Sequence, residues 1–309
     1  MRIGVVGAGG IGGFLAGALA RSGIEVAVVA RGEHLAAIAR DGLHVESDLG
    51  TFDARVDASD DLRRLGRFDA LLLTFKAHQW PEFVAQLEPF SASDTTIVTM
   101  QNGLPFWYVR RPSLESVDPG GRIASLFPDE RIVGAAVHVS GHIARPGCIR
   151  QSGGVRYVLG APRGGEDART DALVAVMRAA GLAPEADSNI RATVWLKLVN
   201  NAGLNPVSAL RGLTIKPMLK DPQARADVHE LMEEALHVGQ AMGVVKDVDI
   251  DARIAYAARL DDVKTSMLQD YERGRPLEDG PILGALIELA QRYGVEVPKL
   301  RAAHRALHA

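Results

Sequence analysis

The chain has 309 residues with 35 basic and 38 acidic side chains, so its formal net charge is −3. This near-balance argues against binding to nucleic acid or to an anionic membrane through bulk charge. The single Cys148 excludes an internal disulfide framework. No segment approaches the roughly 20 apolar residues that span a bilayer, and a first predicted strand starting at residue 2 leaves no room for a signal peptide. We therefore expect a cytoplasmic protein, long enough for two domains.

A glycine-rich turn follows the first predicted strand, residues 2–6, and leads into a predicted helix. The turn consists of Gly7, Ala8, Gly9, Gly10, Ile11 and Gly12. In a strand–turn–helix context this spacing is typical of dinucleotide binding. Gly7 would allow a sharp turn, Gly9 would let a pyrophosphate approach the backbone, and Gly12 would let the helix pack closely on the sheet. The helix N-terminus would attract the phosphates.

The residue after the second predicted strand, 25–30, bears on the choice of cofactor. Arg31 stands where NAD-preferring enzymes usually carry an acidic residue for the ribose 2′-hydroxyl. A guanidinium suits a 2′-phosphate through its charge and its paired donors. We therefore favour NADP, used as NADPH. The alternative is that Arg31 is a solvated loop residue and that Glu33 binds the ribose.

Strand-like and helix-like segments alternate through the first half of the chain, which predicts a mostly parallel sheet with helices on both faces. The predicted strands are 2–6, 25–30, 69–75, 95–100 and 132–139. They are separated by helix-like or loop segments such as 34–42 and 79–88, and a helix is predicted over 166–180. Two further strand-like runs, 148–151 and 156–160, flank Gly153-Gly154, which indicates a hairpin at the far edge of the sheet. Together these elements predict an α/β Rossmann-type domain over residues 1–187.

Beyond Asp187 only helical patterns occur. The predicted helices are 189–204, 221–242, 249–262, 264–272, 280–294 and 298–307. Asp221 before Pro222 has the pattern of an N-cap followed by proline at the first helical position. We therefore predict an all-α domain over residues 188–309. A homodimer formed through this domain is compatible with the sequence, which does not demand it.

Two polar residues follow neighbouring predicted strands of the first domain. Lys76 comes just after the apolar run 69–73, and Asn102 follows the strand that ends near residue 100. Side chains at the carboxyl ends of parallel strands face the cofactor in such folds. The alternative is ordinary loop chemistry, since Asn-Gly is a common turn pair.

Lys197, Asn201 and Asn205 recur every four residues in an otherwise apolar predicted helix, so they share one face. A lysine among apolar residues is partly desolvated, which lowers its pKa and favours proton transfer near neutrality. Asparagine offers both donors and acceptors, which suits binding of a carbonyl, hydroxyl or carboxylate. The alternative is a solvated polar stripe on an amphipathic helix.

Glu278 and Asp279 stand where a helix is predicted to begin, so capping is one role for them. Glu278 could instead hold the lysine or the nicotinamide ribose. No pair of histidines has metal-ligand spacing with a third partner, so we predict no metal. No pattern of a nucleophilic serine or cysteine is present.

These residues resemble the ketopantoate reductase (2-dehydropantoate 2-reductase) family through nearly the whole chain. The resemblance is carried by Gly7 to Gly12, Arg31-Gly32, Phe75-Lys76-Ala77, Gln101-Asn102-Gly103, Lys197 with Asn201 and Asn205-Pro206, and Ser266-Met267-Leu268-Gln269-Asp270 through Glu278. The glycines are generic, whereas the later part of the pattern is specific.

This resemblance implies an NADPH-dependent oxidoreductase that reduces a small 2-oxo acid, ketopantoate to pantoate in pantothenate biosynthesis. It implies that Lys197 donates the proton to the keto oxygen while NADPH supplies the hydride. Substrate-binding positions would be Asn102, Lys197, Asn201, Asn205 and Ser266. Cofactor contacts would come from the glycine-rich turn, Arg31, Lys76, Asn102 and Glu278.

The chain departs from the family pattern in two places. A further substrate-binding asparagine of well-known members is replaced by the run 213–216, in which Thr214 is the only substitute. The run 104–108 is unusually bulky; it could reshape the pocket, cover it, or pack away from it. Another 2-oxo acid is therefore an alternative substrate. An opine- or 3-hydroxyacid-type dehydrogenase and a dinucleotide-binding sensor are the competing classes.

Overall fold

The computed structural model describes residues 1–259 and 262–309. The chain folds into two compact units. The first consists of Met1–Gln101 and Ile123–Ile190, and the second of Asn102–Arg122 and Arg191–Ala309. The sequence analysis placed one boundary after residue 187 and gave no sign that residues 102–122 fold with the second unit. Such an excursion depends on contacts between distant parts of the chain, which local patterns do not reveal.

The first unit is built on one ten-stranded sheet. Its strands are β1 (Arg2–Val6), β2 (Glu25–Val29), β3 (Leu43–Ser47), β4 (Gly50–Ala54), β5 (Asp57–Ser59), β6 (Ala70–Leu73), β7 (Thr96–Thr99), β8 (Ile132–Arg145), β9 (Cys148–Gly160) and β10 (Ala183–Ala186). They lie in the order β4-β3-β9-β8-β7-β6-β1-β2-β5, with β10 beside β9. From β8 to β5 every neighbouring pair in this order is parallel.

The central strands are apolar because the sheet is buried on both faces. Every residue of β6 and β7 is buried, as are four of the five in β1. Each fully buried Val, Leu or Ile side chain stabilises the fold by about 1.5–3 kcal/mol relative to exposure. Since β1, β2, β6 and β7 are parallel, their carboxyl ends lie at one edge of the sheet. The glycine-rich turn, Arg31 and Lys76 follow three of these ends.

The hairpin predicted around Gly153-Gly154 is wrong. Residues 148–151 and 156–160 belong to the single strand β9, which pairs antiparallel with β8, and the chain turns between Arg145 and Cys148. Gly154 has φ +72° and lies at an irregularity in the β8–β9 register, so its glycine serves a bulge rather than a hairpin turn. β9 is also an interior strand, with β3 on its other side. The short strands β3, β4, β5 and β10 were not predicted.

The helices associated with the first unit are α1 (Gly10–Arg21), α2 (Gly32–Asp41), α3 (Trp80–Leu87), α4 (Arg122–Leu126) and α5 (Ala168–Ala179). The second unit contains α6 (Ile190–Arg211), α7 (Ile215–Lys220), α8 (Pro222–Ala241), α9 (Ile250–Arg259), α10 (Ser266–Glu272), α11 (Ala285–Tyr293) and α12 (Pro298–Ala306). A short π-helical segment, Gly280–Gly284, precedes α11. None of the described helices combines the length and the apolarity that crossing a membrane requires.

The second unit is helical as predicted, but the helices begin and end at residues that differ from the predicted ones. α6 runs seven residues beyond the predicted end at residue 204 and contains Pro206 within it. Asp221 caps α8, since its side chain accepts a hydrogen bond of 2.7 Å from the N–H of Ala224. The predicted helix 249–262 extends over residues 260 and 261, which lie outside the described residues. The predicted fold class, a Rossmann-type α/β part followed by a helical part, is confirmed.

Candidate active site

The glycine-rich turn adopts the conformation on which its predicted role depends. Gly7 has φ +104°, a region that favours glycine, and a Cβ atom there would lie 2.8 Å from the backbone nitrogen of Phe75. A Cβ on Gly12 would overlap the carbonyl oxygen of Gly7 and the hydroxyl of Thr74. A Cβ on Gly9 would meet nothing within 4 Å. The backbone is therefore open at Gly9, where a ligand would approach.

The start of α1 offers donors to an anion. Gly9 is the N-cap, and the first turn contains no acidic side chain. The N–H groups of Gly10, Ile11 and Gly12 have no hydrogen-bond acceptor among the described residues, as expected for the first turn of a helix. These donors and the positive end of the helix dipole fit a pyrophosphate group.

Arg31 lies at the N-cap of α2 with a partner that the sequence analysis missed. Its Nη1 is 2.5 Å from Oε2 of Glu82, and its guanidinium carbon lies 5.0 Å above the ring of Phe83. Both charged side chains are about half exposed. Glu33, the alternative ribose ligand, is exposed in the first turn of α2. Arg31 is thus held on an aromatic face by an ion pair that water and salt weaken.

Lys76 lies three residues after the end of β6 and is partly buried. Its backbone N–H donates a hydrogen bond of 3.0 Å to Oε1 of Gln79, which begins the turn into α3. The backbone of Lys76 is therefore fixed just beyond the strand end, while the contact of its side chain with a cofactor stays a prediction.

In the second unit, Lys197, Asn102 and Glu278 form one hydrogen-bonded chain. Nζ of Lys197 donates to Oδ1 of Asn102 over 2.9 Å, and Nδ2 of Asn102 donates to Oε2 of Glu278 over 3.3 Å. Lysine can only donate, so Oδ1 of the asparagine must face it and its NH₂ group must face the carboxylate. Glu278 is 9% exposed. The structure thus brings together three of the predicted site residues.

The environment of Lys197 changes its acidity. Burial lowers the pKa of Lys197 from 10.5 to about 8, against the opposing effect of the Glu278 carboxylate. By solvent exposure Lys197 as a whole residue is partly buried. An amine with this pKa can hold and release a proton near neutral pH.

Asn201 and Asn205 follow Lys197 on α6 at one-turn intervals. Neither side chain has a hydrogen-bond partner among the described residues, although Asn205 is only 7% exposed. Ser266 is exposed at the first position of α10, immediately after the N-cap residue Thr265. No hydrogen bond joins these three predicted substrate ligands to the Lys197 network within the described part of the chain.

The turn after Asn102 explains how this residue reaches Glu278. Gly103 has φ +81°, and a Cβ atom there would lie 2.5 Å from the carbonyl oxygen of Pro281. The N–H of Leu104 donates a hydrogen bond of 2.8 Å to that same carbonyl. Only glycine allows so close an approach. The Asn-Gly pair therefore ties Asn102 to the segment that carries Glu278.

The bulky run 104–108 packs into the core of the second unit, which was one of the three alternatives for it. Trp107 and Tyr108 are each 2% exposed. The Tyr108 hydroxyl donates a hydrogen bond of 2.8 Å to the carbonyl of Arg191, and its ring centroid lies 5.8 Å from that of Trp195. Burial raises the pKa of Tyr108. The run therefore packs against the first turns of α6, where Trp195 lies two residues before Lys197.

Asp279 does not cap the following helical segment with its side chain. Instead its Oδ2 lies 3.1 Å from Nε2 of His304 and 2.7 Å from Nε2 of His308. The prediction that no histidine pair has a third partner is therefore wrong in space, because His304 near the end of α12 and His308 in the turn after it both meet Asp279, which the tertiary fold brings to them. The Asp279 carboxylate is thus hydrogen-bonded to His308 and lies within ion-pair distance of His304.

Asp279 with the two histidines is one group of side chains that could bind a metal ion, and a second such group contains the only cysteine of the chain. Cys148 lies with His44 and Glu46 so that their ligating atoms are within 4.8 Å of one another. The thiol is 1% exposed and 3.8 Å from Oε1 of Glu46. Burial raises the pKa of the Cys148 thiol, which keeps it protonated and unreactive.

Comparison with known proteins places both parts of the chain in one family. Residues 3–164 match the family described as Ketopantoate reductase PanE/ApbA, and residues 189–309 match its C-terminal part. A protein of Mesorhizobium japonicum named 2-dehydropantoate 2-reductase is 37% identical, over 98% of this chain and 95% of that protein.

Solved structures agree with these matches. A putative ketopantoate reductase from Ralstonia solanacearum superposes with a TM-score of 0.92 at 34% identity, covering 99% of this chain and 96% of that one. D-mandelate dehydrogenase, solved with NADH and anilino(oxo)acetate, shares the fold at 21% identity with a TM-score of 0.86, covering 100% of this chain and 97% of that one. The chain belongs to the ketopantoate reductase family of pyridine-nucleotide-dependent oxidoreductases.

Proposed function

We propose that this protein reduces ketopantoate (2-dehydropantoate) to pantoate, with hydride from NADPH and a proton from Lys197. The observation that carries this proposal is the chain Lys197–Asn102–Glu278, in which a desolvated ammonium group is held by an amide over 2.9 Å. The name of the Mesorhizobium japonicum relative supports the substrate.

Lys197 acts on the oxygen of the keto group. Bound NADPH supplies a hydride to the carbonyl carbon, so negative charge develops on the carbonyl oxygen. The ammonium group of Lys197 stabilises that charge by a charge-assisted hydrogen bond and then transfers its proton, which converts C=O into CH–OH. Because its pKa is about 8, the group is charged at neutral pH and is a stronger acid than an exposed lysine.

Asn102 and Glu278 orient the donor. The amide oxygen of Asn102 accepts from Lys197, while Glu278 accepts from the amide NH₂ and prevents a flip of the side chain. The ammonium group is thereby pre-organised before substrate binds, which reduces the reorganisation required in the transition state. Glu278 and Asn102 also retain acceptor and donor capacity for contacts to the cofactor ribose and amide.

Asn201, Asn205 and Ser266 are proposed to bind the substrate. Their side chains carry amide and hydroxyl groups that can donate to a carboxylate and accept from a hydroxyl. The two amides have no hydrogen-bond partner among the described residues, so they are available to a polar ligand. Of the two, Asn205 is buried and Asn201 partly buried, and buried polar groups of this kind recognise hydroxyl and carboxylate groups more selectively than hydrocarbon surface does.

The cofactor is proposed to be NADPH. The N–H groups at the start of α1, with Gly7, Ala8, Gly9, Gly10, Ile11 and Gly12 forming the turn, would bind the pyrophosphate. Arg31 would bind the 2′-phosphate after exchanging its ion pair with Glu82 for the stronger phosphate interaction. Lys76 would add a positive charge near the same ligand.

The test is oxidation of reduced cofactor with a panel of 2-oxo acids that includes ketopantoate, with NADPH and NADH run in parallel. We expect turnover with ketopantoate and NADPH at a kcat/KM above about 10⁴ M⁻¹s⁻¹. If another 2-oxo acid is reduced and ketopantoate is not, ketopantoate is rejected as the substrate, while the proposed reaction, reduction of a 2-oxo acid, is retained. Cofactor binding without turnover of any 2-oxo acid would reject the enzymatic proposal.

A further inference from the structure

His34, in the first turn of α2, joins two backbone groups from distant parts of the first unit. Its Nε2 lies 2.8 Å from the carbonyl oxygen of Ala8, in the glycine-rich turn. Its Nδ1 lies 2.9 Å from the backbone nitrogen of Gly147, in the turn between β8 and β9. No feature of the sequence had singled out this histidine.

The two contacts define the protonation state of the ring. A carbonyl oxygen can only accept, so Nε2 must carry a hydrogen and donate it to Ala8. A backbone N–H can only donate, so Nδ1 must offer its lone pair to Gly147. The neutral Nε2–H tautomer satisfies both partners, whereas a doubly protonated ring would lose the contact with Gly147.

The Ala8 carbonyl matters because of the peptide plane to which it belongs. The oxygen of Ala8 and the N–H of Gly9 point in opposite directions across one planar trans peptide. Holding the oxygen on His34 therefore fixes the direction of the Gly9 N–H. That N–H has no acceptor among the described residues, and the space around Gly9 is open.

The backbone N–H of Ala8 is fixed as well as its carbonyl oxygen. The N–H groups of Gly7 and Ala8 both donate to the carbonyl of Val29, over 3.2 and 3.0 Å. Val29 ends β2, and His34 lies five residues further on in α2. The start of the turn is thus fastened to the end of β2, and among the described residues His34 is the one hydrogen-bond partner of the peptide that follows Ala8.

We infer that His34 is a positioning residue, which holds the Ala8–Gly9 peptide so that the Gly9 N–H stays directed toward the phosphate of a bound dinucleotide. This inference rests on the proposed role of the glycine-rich turn in cofactor binding. His34 itself makes no contact with the cofactor. It acts through the backbone of the turn.

The same geometry makes cofactor affinity depend on pH. Burial lowers the pKa of His34, against the opposing effect of its bond to Ala8. The charged or titratable residues that adjoin its contacts in the sequence are Arg31 and Glu33 on α2 and Arg145 and Cys148 at the β8–β9 turn, while the glycine-rich turn has none. As pH falls through the folded-state pKa, protonation of Nδ1 breaks the contact with Gly147, so the ring that donates to Ala8 is no longer held from its other side.

Two substitutions of His34 distinguish a role in positioning the Ala8–Gly9 peptide from a role in the overall stability of the fold. His34→Gln offers one donor and one acceptor without titrating, and His34→Phe offers neither in a ring of similar size. His237→Phe, at an exposed position of α8, is the matched control. The dissociation constant for NADP⁺ is measured by titration calorimetry, with KM and kcat from steady-state assays and folding checked by thermal unfolding.

We expect His34→Phe to weaken NADP⁺ binding roughly tenfold, the change that about 1.4 kcal/mol produces, while kcat at saturating NADPH stays within about twofold. His34→Gln should restore most of the affinity near neutral pH, and His237→Phe should match the wild type. NADP⁺ affinity within about twofold of wild type in both His34 variants would overturn the inference. If His34→Phe does not fold, the His34→Gln comparison decides.

The pH dependence supplies the second readout. Because the pKa of His34 is lowered, wild type should keep its affinity relative to His34→Gln down to about pH 6.5, the ordinary pKa of histidine, and should lose affinity only below it. Using this ratio cancels the titration of the 2′-phosphate, which is common to both proteins. A constant ratio would overturn the requirement for a neutral ring. Failure of the wild type to bind either NADP⁺ or NAD⁺ would instead overturn the proposed function, a result distinct from binding that the His34 variants retain.

Discussion

Nζ of Lys197 donates a hydrogen bond of 2.9 Å to Oδ1 of Asn102, a residue 95 positions earlier in the chain. The contact joins α6 to the excursion 102–122, and both belong to the second unit. Its direction follows from chemistry, because the ammonium group has no lone pair to accept with. The proton proposed to reach the substrate is therefore held by one defined partner.

Replacing Lys197 by alanine should lower kcat by about a hundredfold or more, because the proton donor and the charge that stabilises the developing oxyanion are both lost. The dissociation constant for NADPH should change little. Lys246→Ala, which removes an exposed lysine, is the control and should retain full activity. Wild-type turnover by Lys197→Ala would refute the assignment of the proton donor.

The pH profile should report the acidity of Lys197. The group must be protonated to act as an acid, so kcat/KM should be level below its pKa of about 8 and should fall about tenfold per pH unit above it. In Asn102→Asp a carboxylate replaces the amide that contacts the ammonium group. This favours the charged form of the lysine and should move the falling limb to higher pH. An identical limb in both proteins would show that another group controls the profile.

Arg31→Ala should raise the KM for NADPH by about tenfold or more and change the KM for NADH much less, because only NADPH carries the 2′-phosphate. Glu82→Gln removes the present partner of Arg31 and should lower the KM for NADPH by a few-fold at most, since exposed ion pairs are worth about 0–1 kcal/mol. Equal losses for the two cofactors in Arg31→Ala would reject its role at the phosphate.

Trp107→Ala should lower the free energy of unfolding by about 3–5 kcal/mol, because a nearly fully buried indole is removed from the second unit. Tyr256→Ala, at an aromatic position that is 66% exposed, should change it by no more than about 0.5 kcal/mol. Urea denaturation followed by circular dichroism measures both. A small effect of Trp107→Ala would mean that the run 104–108 is not part of the core.

Local patterns were sufficient to predict the elements around the glycine-rich turn. An apolar run, spaced glycines and a helical run lie within about twenty residues, and each has one main structural explanation. The periodicity of Lys197, Asn201 and Asn205 likewise defined a helix face correctly, since α6 contains all three. Gly153-Gly154 misled the analysis because the same dipeptide suits a turn and a bulge.

What the sequence could not reveal were partners that are distant in the chain. Arg31 and Glu82 are separated by one helix, four strands and the start of α3, and nothing in either local pattern links them. The same holds for Asp279 with His304 and His308. Residues 102–122 lie within the predicted first domain, 1–187, and only tertiary packing assigns them to the second unit.

The burial of Cys148 makes the protein convenient for spectroscopy. The chain has one cysteine, and its thiol is 1% exposed with a raised pKa, so maleimide reagents should leave the native protein unmodified. A cysteine introduced at an exposed position such as Tyr256 would be the only reactive thiol. Fluorescent or spin labels could therefore be attached at chosen sites without first removing the natural residue.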